Sequence, residues 1–311
     1  MNKNYKQAGV VNFGTADRLQ IQSLSQPILE RGQVFIRIIS SSVNPIDVKT
    51  RAGLGYVAQL KQDGAFLPLG YDVLGIIEEV SEGVNDLKVG DTVLGMVGFP
   101  SSPGCYASHV IAESEELIVV DSKVSDELAG LSLAGLTALQ SLDKLNANAG
   151  TLFINAPTGG VGHLALQLAT LNGFNVVPVT TRKSLIESLN FDMAIMSYEE
   201  FFAEPQSGQL LDLVGGELAC KMLSNMGAGT SFVTVPSITK DEVMKHGASF
   251  GAHGEGILVH VNPKHLNELY KAVATQQVKL VVSKKFKLDE IALAHKYVEL
   301  GEHFGKVIIV A

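Results

Sequence analysis

The chain has 311 residues, 46% hydrophobic and 18% charged, which excludes a disordered chain and is enough for two cored domains. Its formal net charge of −8 excludes the basic footprint of a nucleic-acid binder and gives no attraction to anionic membranes. Two cysteines, Cys105 and Cys220, are too few for a disulfide framework and predict a reducing, cytoplasmic setting. The first residues show no signal-peptide pattern, and no apolar run reaches the about 18 residues that a membrane span needs.

In chain order, the predicted elements begin β-rich. VFIRIIS (34–40), GIIEEV (75–80), DTVLGMV (91–97) and YASHVIA (106–112) are short, rich in β-branched residues and bounded by Gly, Pro, Asp and Ser. Near residue 122 the texture changes. SDELAGLSLAGLTALQSLDKL (125–145) spaces Leu and Ala as a helix, with Ser125 or Asp126 as its N-cap. Strands are then predicted in TLFINA (151–156), NVVPVT (175–180), DMAIMS (192–197), LLDLVG (210–215), TSFVTV (230–235) and GILVHV (256–261). Helices in GVGHLALQLATLNG (160–173) and KSLIESL (183–189) fall between them. This alternation predicts right-handed βαβ units and a parallel sheet. The last stretch, 279–311, reads strand, helix, strand and matches the early part. The expected organisation is therefore a nucleotide domain (122–264) inserted between two pieces (1–121 and 265–311) of a β-rich catalytic domain.

One turn carries chemistry. NAPTGGVG (155–162) follows an apolar strand and opens a helix, and in the frame of G-x-G-x-x-G it reads Pro157-x-Gly159-x-x-Gly162. Gly159 lets backbone approach a pyrophosphate, while Gly160 and Gly162 permit tight turning and close helix packing. Together with Pro157, Thr158 and Val161 they form the candidate phosphate cradle at a helix N-terminus. About 20 residues on, where an acid would hold the ribose of NAD, the chain instead has Thr180, Thr181, Arg182 and Lys183. Cations attract a 2′-phosphate that a carboxylate repels, so the pattern predicts NADPH. With no ligand, the same residues read as a glycine-rich βα turn and a solvated helix start.

Several stretches together resemble the medium-chain dehydrogenase/reductase superfamily, in its zinc-free quinone oxidoreductase and alkenal/enone reductase branch. They are SSVNPIDVKTRAG (41–53), LPLGYDVLGIIEEVSEGVNDLKVGDTVLG (67–95), LAGLTALQSL (133–142), INAPTGGVGHLALQLA (154–169), DLVGG (212–216) and FGKVIIV (304–310). The resemblance implies a GroES-like β-rich catalytic domain plus a Rossmann doubly wound parallel-sheet domain. It implies hydride transfer from NADPH to an α,β-unsaturated carbonyl or a quinone, in a homodimer whose candidate edge strand is GILVHV. A quinone reductase using one-electron steps, or an NADPH-binding regulatory protein with little catalysis, are the alternatives. Asn44, Tyr71 and Leu133 stand at positions where zinc-dependent relatives have metal ligands. Such side chains cannot replace thiolates around zinc, so no metal is expected.

The same resemblance supplies the remaining candidates. Asn44 reads equally as a ligand of the nicotinamide ribose or substrate and as the residue shaping the VNP turn. Lys49 is placed to polarise an enone oxygen, with a surface lysine as the alternative. Tyr71 and Tyr56 are expected to face the substrate as phenol donors, or, for Tyr56 especially, as apolar lining. Asp72 is expected to orient Lys49 or a backbone N–H. Thr137, Val235, Pro236, Ser237, Phe250, Gly251, Gly305 and Lys306 are expected near the cofactor. His163 reads as helix packing.

Overall fold

The computed structural model describes residues 4–190 and 193–311. It opens with β1 (Asn4–Val10), β2 (Gln20–Ser25), β3 (Gln33–Val43), α1 (Pro45–Arg51), α2 (Tyr56–Leu60) and β4 (Leu67–Pro68), followed by β5 (Asp72–Val80), β6 (Thr92–Met96), β7 (His109–Glu113) and β8 (Leu117–Val119). β1 pairs antiparallel with β2 and β4 in a small three-stranded sheet. β3 organises the larger one. Val34, Ile36 and Ile38 alternate inward and meet Val73, Ile77, Val93 and Val110 in a closed apolar core, which is the period-2 burial that the sequence pattern encodes. β5 pairs along one edge of β3, with register shifts at Phe35/Ile36 and Ile38/Ser40 that bend the strand. The bend lets the other edge take β7 along Gln33–Arg37.

The chain next forms a 3-10 turn, Asp126–Leu131, whose N-cap Ser125 accepts the Glu127 N–H at 3.3 Å. Then come α3 (Ser132–Leu142), β9 (Thr151–Asn155), α4 (Gly162–Leu171), β10 (Asn175–Val179), α5 (Lys183–Glu187), α6 (Tyr198–Ala203), β11 (Gln209–Asp212), α7 (Gly216–Met226), β12 (Ser231–Thr234), α8 (Lys240–Ala248) and β13 (His253–Gly256). The five strands lie in the order β10-β9-β11-β12-β13, all parallel. Phe153, Leu210 and Phe232 from the strands pack on Phe201, Met222, Leu223 and Val243 from the helices.

Two expected strands are corrected. Asp192 of DMAIMS lies outside the described residues, and the remainder makes one isolated bridge, Val179 to Met196. Ser197 ends that path. Its hydroxyl accepts the Glu200 N–H at 3.1 Å and the Glu200 carboxylate accepts the Ser197 N–H at 2.6 Å. This capping box, Ser-x-x-Glu, turns the chain into α6 before a strand can extend. GILVHV is not a strand either. β13 is the preceding HGEG, and of that stretch only Gly256 belongs to it. Gly254 fits beneath the Phe232 ring, where a side chain would collide, so close approach chose the paired segment over β-branched content.

The chain closes with α9 (Pro263–Ala274), β14 (Val282–Lys287), α10 (Ile291–Glu299) and β15 (Lys306–Val310). β15 pairs with Ser40–Val43 of β3, and β14 with β15, completing a seven-stranded sheet. Two compact units result. One holds the residues up to Leu133 with His260–Ala274 and Val282–Ala311, the other Ala134–Val259 with Thr275–Val281. The last segment joins the second unit through α4. Gln167 accepts the Lys279 N–H at 2.8 Å and donates to its carbonyl at 2.9 Å, and His163 Nε2 accepts the Val281 N–H at 3.2 Å. With Nε2 accepting, His163 Nδ1 is the donor to Gly159 O at 3.0 Å, so this histidine packs and holds the turn.

In the first unit α10 buries Ile291, Ala294 and His295 against Val43, Leu69, Tyr106, Val307 and Ile309. His295 lies edge-on to Tyr106 at 5.7 Å, and neither ring nitrogen has a hydrogen-bond partner among the described residues. Burial, and secondarily the Arg51 guanidinium, push its pKa down from 6.5 to about 3. The unfolded state therefore binds the proton first as pH falls, and stability tied to neutral His295 is present above pH 6.5 and lost below it. His295→Phe removes this loss. Relative to wild type the variant should gain about 1.4 kcal/mol per pH unit below 6.5, read from urea unfolding at pH 7.5 and pH 5; an identical difference at both values would contradict the burial argument.

Candidate active site

In the second unit the candidate residues gather at the carboxyl ends of the parallel strands, the edge where open α/β sheets bind ligands. β9 ends at Asn155, and Ala156 takes a left-handed φ of 45°. The special backbone position is thus Ala156, one residue before Pro157, and a non-glycine there costs on the order of 1 kcal/mol. Gly159 N–H bonds back to Ala156 O at 3.0 Å, closing the turn. A side chain at Gly162 would collide with that same carbonyl and with Pro157, so this glycine is required by packing. At Gly159 a Cβ would meet only Ala156 O, at 3.4 Å, so its bare outer face is not demanded by the protein's interior.

Arg182 comes to this turn. Its guanidinium donates to the Thr158 hydroxyl, and its N–H donates to Thr180 Oγ1 at 3.0 Å. Thr181 beside it is exposed. Lys183 opens α5 and donates to Glu200 Oε2 at 2.6 Å. Beneath them lies a network that sequence reading missed. The buried Asp212 carboxylate accepts from Asn155 Nδ2 at 2.7 Å, from the Val214 and Gly215 N–H groups at 3.1 and 2.9 Å, and from Thr234 Oγ1 at 2.7 Å. It ties the ends of β9, β11 and β12 together. The available signal was an Asp followed within three residues by Gly-Gly, a side chain that bonds its own following backbone. Gly215 has a φ of 77°, which that turn needs.

Other candidates scatter. Val235 and Pro236 follow β12 at this edge, half-buried and buried, with Ser237 exposed. Thr137 is buried on α3. Phe250 and Gly251 are corrected: they precede β13, and Gly251 O accepts the Gly229 N–H at 2.9 Å at the amino ends of the strands. They lie at the opposite edge from the glycine turn, in the segment between α8 and the start of β13 at His253.

In the first unit a buried polar cluster collects Asn44, Asp72 and Lys306. Asp72 accepts from the Ser42 hydroxyl, from Asn44 Nδ2 at 2.8 Å and from the Leu133 N–H at 2.7 Å. Lys306 Nζ donates to Asn44 Oδ1 at 2.5 Å and to Val43 O at 3.3 Å, with Asp72 at 3.7 Å. The Asn44 amide is locked between an anion and a cation. Its backbone N–H caps α1 through Asp47 at 2.9 Å. Asp47 also accepts from Gly70 N–H and Tyr106 hydroxyl, and burial pushes it up to about 7 against these donors. Asp72 thus orients a backbone N–H and not Lys49. Lys306, expected at the cofactor, has its side chain spent inside the unit; Gly305 before it is buried with a φ of 76°.

Tyr71 is also corrected. It is 1% exposed, its hydroxyl donates to Pro100 O at 2.9 Å, and burial raises its pKa, so the phenol is neither accessible nor free to give its proton. Tyr56 is exposed at the start of α2. Lys49, on the last turn of α1, is half-buried, and burial lowers its pKa. No ion pair or hydrogen bond holds its ammonium among the described residues.

With this geometry in view, residues 30–122 match the alcohol dehydrogenase GroES-like domain and residues 189–309 the zinc-binding dehydrogenase family. A 2-methylene-furan-3-one reductase of Solanum lycopersicum is 30% identical over 96% of this chain and 77% of its own length. An NADPH-dependent alkenal/one oxidoreductase, chloroplastic, of Arabidopsis thaliana is 30% identical with the same coverage. A quinone oxidoreductase structure from Coxiella burnetii superposes with a TM-score of 0.93 and 32% identity, covering 99% of this chain and 100% of that one. The fold and site define a medium-chain dehydrogenase/reductase, and the chain belongs to the zinc-free quinone oxidoreductase and enone reductase branch of that superfamily. Its residues do not fit a zinc ion. Asn44 is held by Asp72 and Lys306, Tyr71 is turned to Pro100, and Leu133 offers a backbone N–H donor.

Lys306→Met leaves the buried Asp72 charge without its cation and should destabilise the protein by about 3–5 kcal/mol. Adding Asp72→Asn should restore a substantial part of that loss. Chemical denaturation of the single and double variants measures both; additive losses would show that the two charges do not compensate each other.

Proposed function

We propose that this chain is a zinc-independent, NADPH-dependent reductase of α,β-unsaturated carbonyls or quinones. The observation that carries the reading is the docking of Arg182 on Thr158, which puts a fixed cation beside the glycine turn where β10 ends. NADPH fits these residues. The bare face of Gly159 admits a pyrophosphate, the start of α4 favours its charge, and Arg182 matches a 2′-phosphate. When bound, NADPH supplies the hydride, delivered to the β-carbon of an enone or to a quinone.

The protein's own part is binding, orientation and charge. Lys49 is the residue for the substrate oxygen, because a half-buried ammonium with no competing partner among the described residues stabilises developing negative charge better than a hydrated one. Tyr56 lines the substrate with its ring. The buried Tyr71 supports structure. Water, or Lys49 itself, provides the proton. Dimerisation through the exposed edge of β13 and a cytoplasmic setting, suited to the free thiols of Cys105 and Cys220, complete the proposal.

Fluorescence titration tests the cofactor assignment. Arg182→Ala should weaken NADPH binding about tenfold or more, and NADH binding by less than about twofold; a protein that binds neither nucleotide is not a reductase. Lys49→Met should lower kcat/KM for an alkenal or enone by about 10- to 100-fold while leaving the NADPH Kd unchanged. Unchanged turnover would remove Lys49 from the chemistry.

A further inference from the structure

Two cations stand at the end of β10, and the Arg182 guanidinium donates to the Thr158 hydroxyl among its contacts. Lys183 rests on a carboxylate, Glu200, at 2.6 Å. That carboxylate is pinned in place, since the same Oε2 accepts the Ser197 N–H at 2.6 Å as half of the α6 capping box. We propose that Glu200 is a specificity-determining residue that competes with the cofactor's 2′-phosphate for Lys183 and so limits the preference for NADPH over NADH. This rests on reading Thr180–Lys183 as the 2′-phosphate end of the cofactor site.

The physical case follows from what each partner loses. Lys183 and Glu200 are partly exposed, with side chains 36% and 55% accessible, so their ion pair is weak and exchangeable. When the ammonium leaves, Glu200 keeps the Ser197 N–H and α6 keeps its cap, so release does not orphan a buried group. A phosphate offers the lysine a greater charge than a carboxylate does. NADPH must therefore displace Glu200 to use Lys183, whereas NADH, with hydroxyls alone on that ribose, has nothing to exchange. The contact lowers NADPH affinity and leaves NADH affinity alone. Lys183 and Ser197 pull Glu200 down to about 2, so the competitor stays charged throughout the working pH range.

The test is a binding cycle on the full chain, with Kd values for NADPH, NADH and adenosine 2′,5′-bisphosphate measured on wild type, Glu200→Gln, Lys183→Met and the double variant. Gln keeps an oxygen to accept the Ser197 N–H, so the cap survives, and thermal melts check that it does. Glu200→Gln should tighten NADPH and the bisphosphate by about 3- to 10-fold, leave NADH within about twofold, and have no effect once Lys183 is Met. Unchanged or weaker NADPH binding in Glu200→Gln overturns the proposal, as does an equal gain for NADH. A gain that persists without Lys183 also overturns it, because direct repulsion and not competition would then be the cause. Failure of the underlying assignment looks different: Arg182→Ala and Lys183→Met would both leave NADPH binding untouched.

Discussion

A carboxylate buried in protein cannot remain charged without donors, and Asp72 meets that constraint by drawing on three separate stretches of the first unit. Ser42 comes from the end of β3, Asn44 from the start of α1, Leu133 from the start of α3 and Lys306 from the last strand. Desolvation makes each contact expensive to lose, so these segments are held in one arrangement. The bend in β3 and the pairing of β15 against it are the framework that lets the lysine arrive. The same cluster spends the polar capacity of Asn44 inside the unit, between Asp72 and Lys306.

The second unit solves a similar problem with a different purpose. Asp212 is equally buried, but its donors are two backbone N–H groups, an amide and a hydroxyl, all at the carboxyl edge of the sheet. Tying the strand ends fixes the loops that follow them, and the glycine turn after β9 is the loop that matters. Rigid strand ends allow Ala156 to keep a strained φ and allow Gly162 to pack against its carbonyl. Arg182 and Lys183, both only partly buried, stand beside this floor where β10 ends.

The capping box that opens α6 shapes the surroundings of Lys183. A Ser-x-x-Glu box beginning at Ser197 stops a strand after one bridge and starts a helix, and the Glu it fixes lands on Lys183. A local capping preference therefore sets both the sheet's width among the described residues and the partner of Lys183.

The sequence by itself determined the features that are local in the chain. The order of βαβ units, the glycine turn opening α4, the Ser125 cap and the cations after β10 were legible because each rests on neighbouring residues and on backbone preferences that act within a turn or two. Even local reading erred where two local signals competed, as at Ser197 and at the glycine-bearing β13. What only the tertiary structure decided were the partners of buried polar groups. Lys306 reaching Asn44, 262 residues away, and the Tyr71 phenol turning to Pro100 have no signature in spacing. Desolvation and close packing assign such partners, and both act only once distant segments have met.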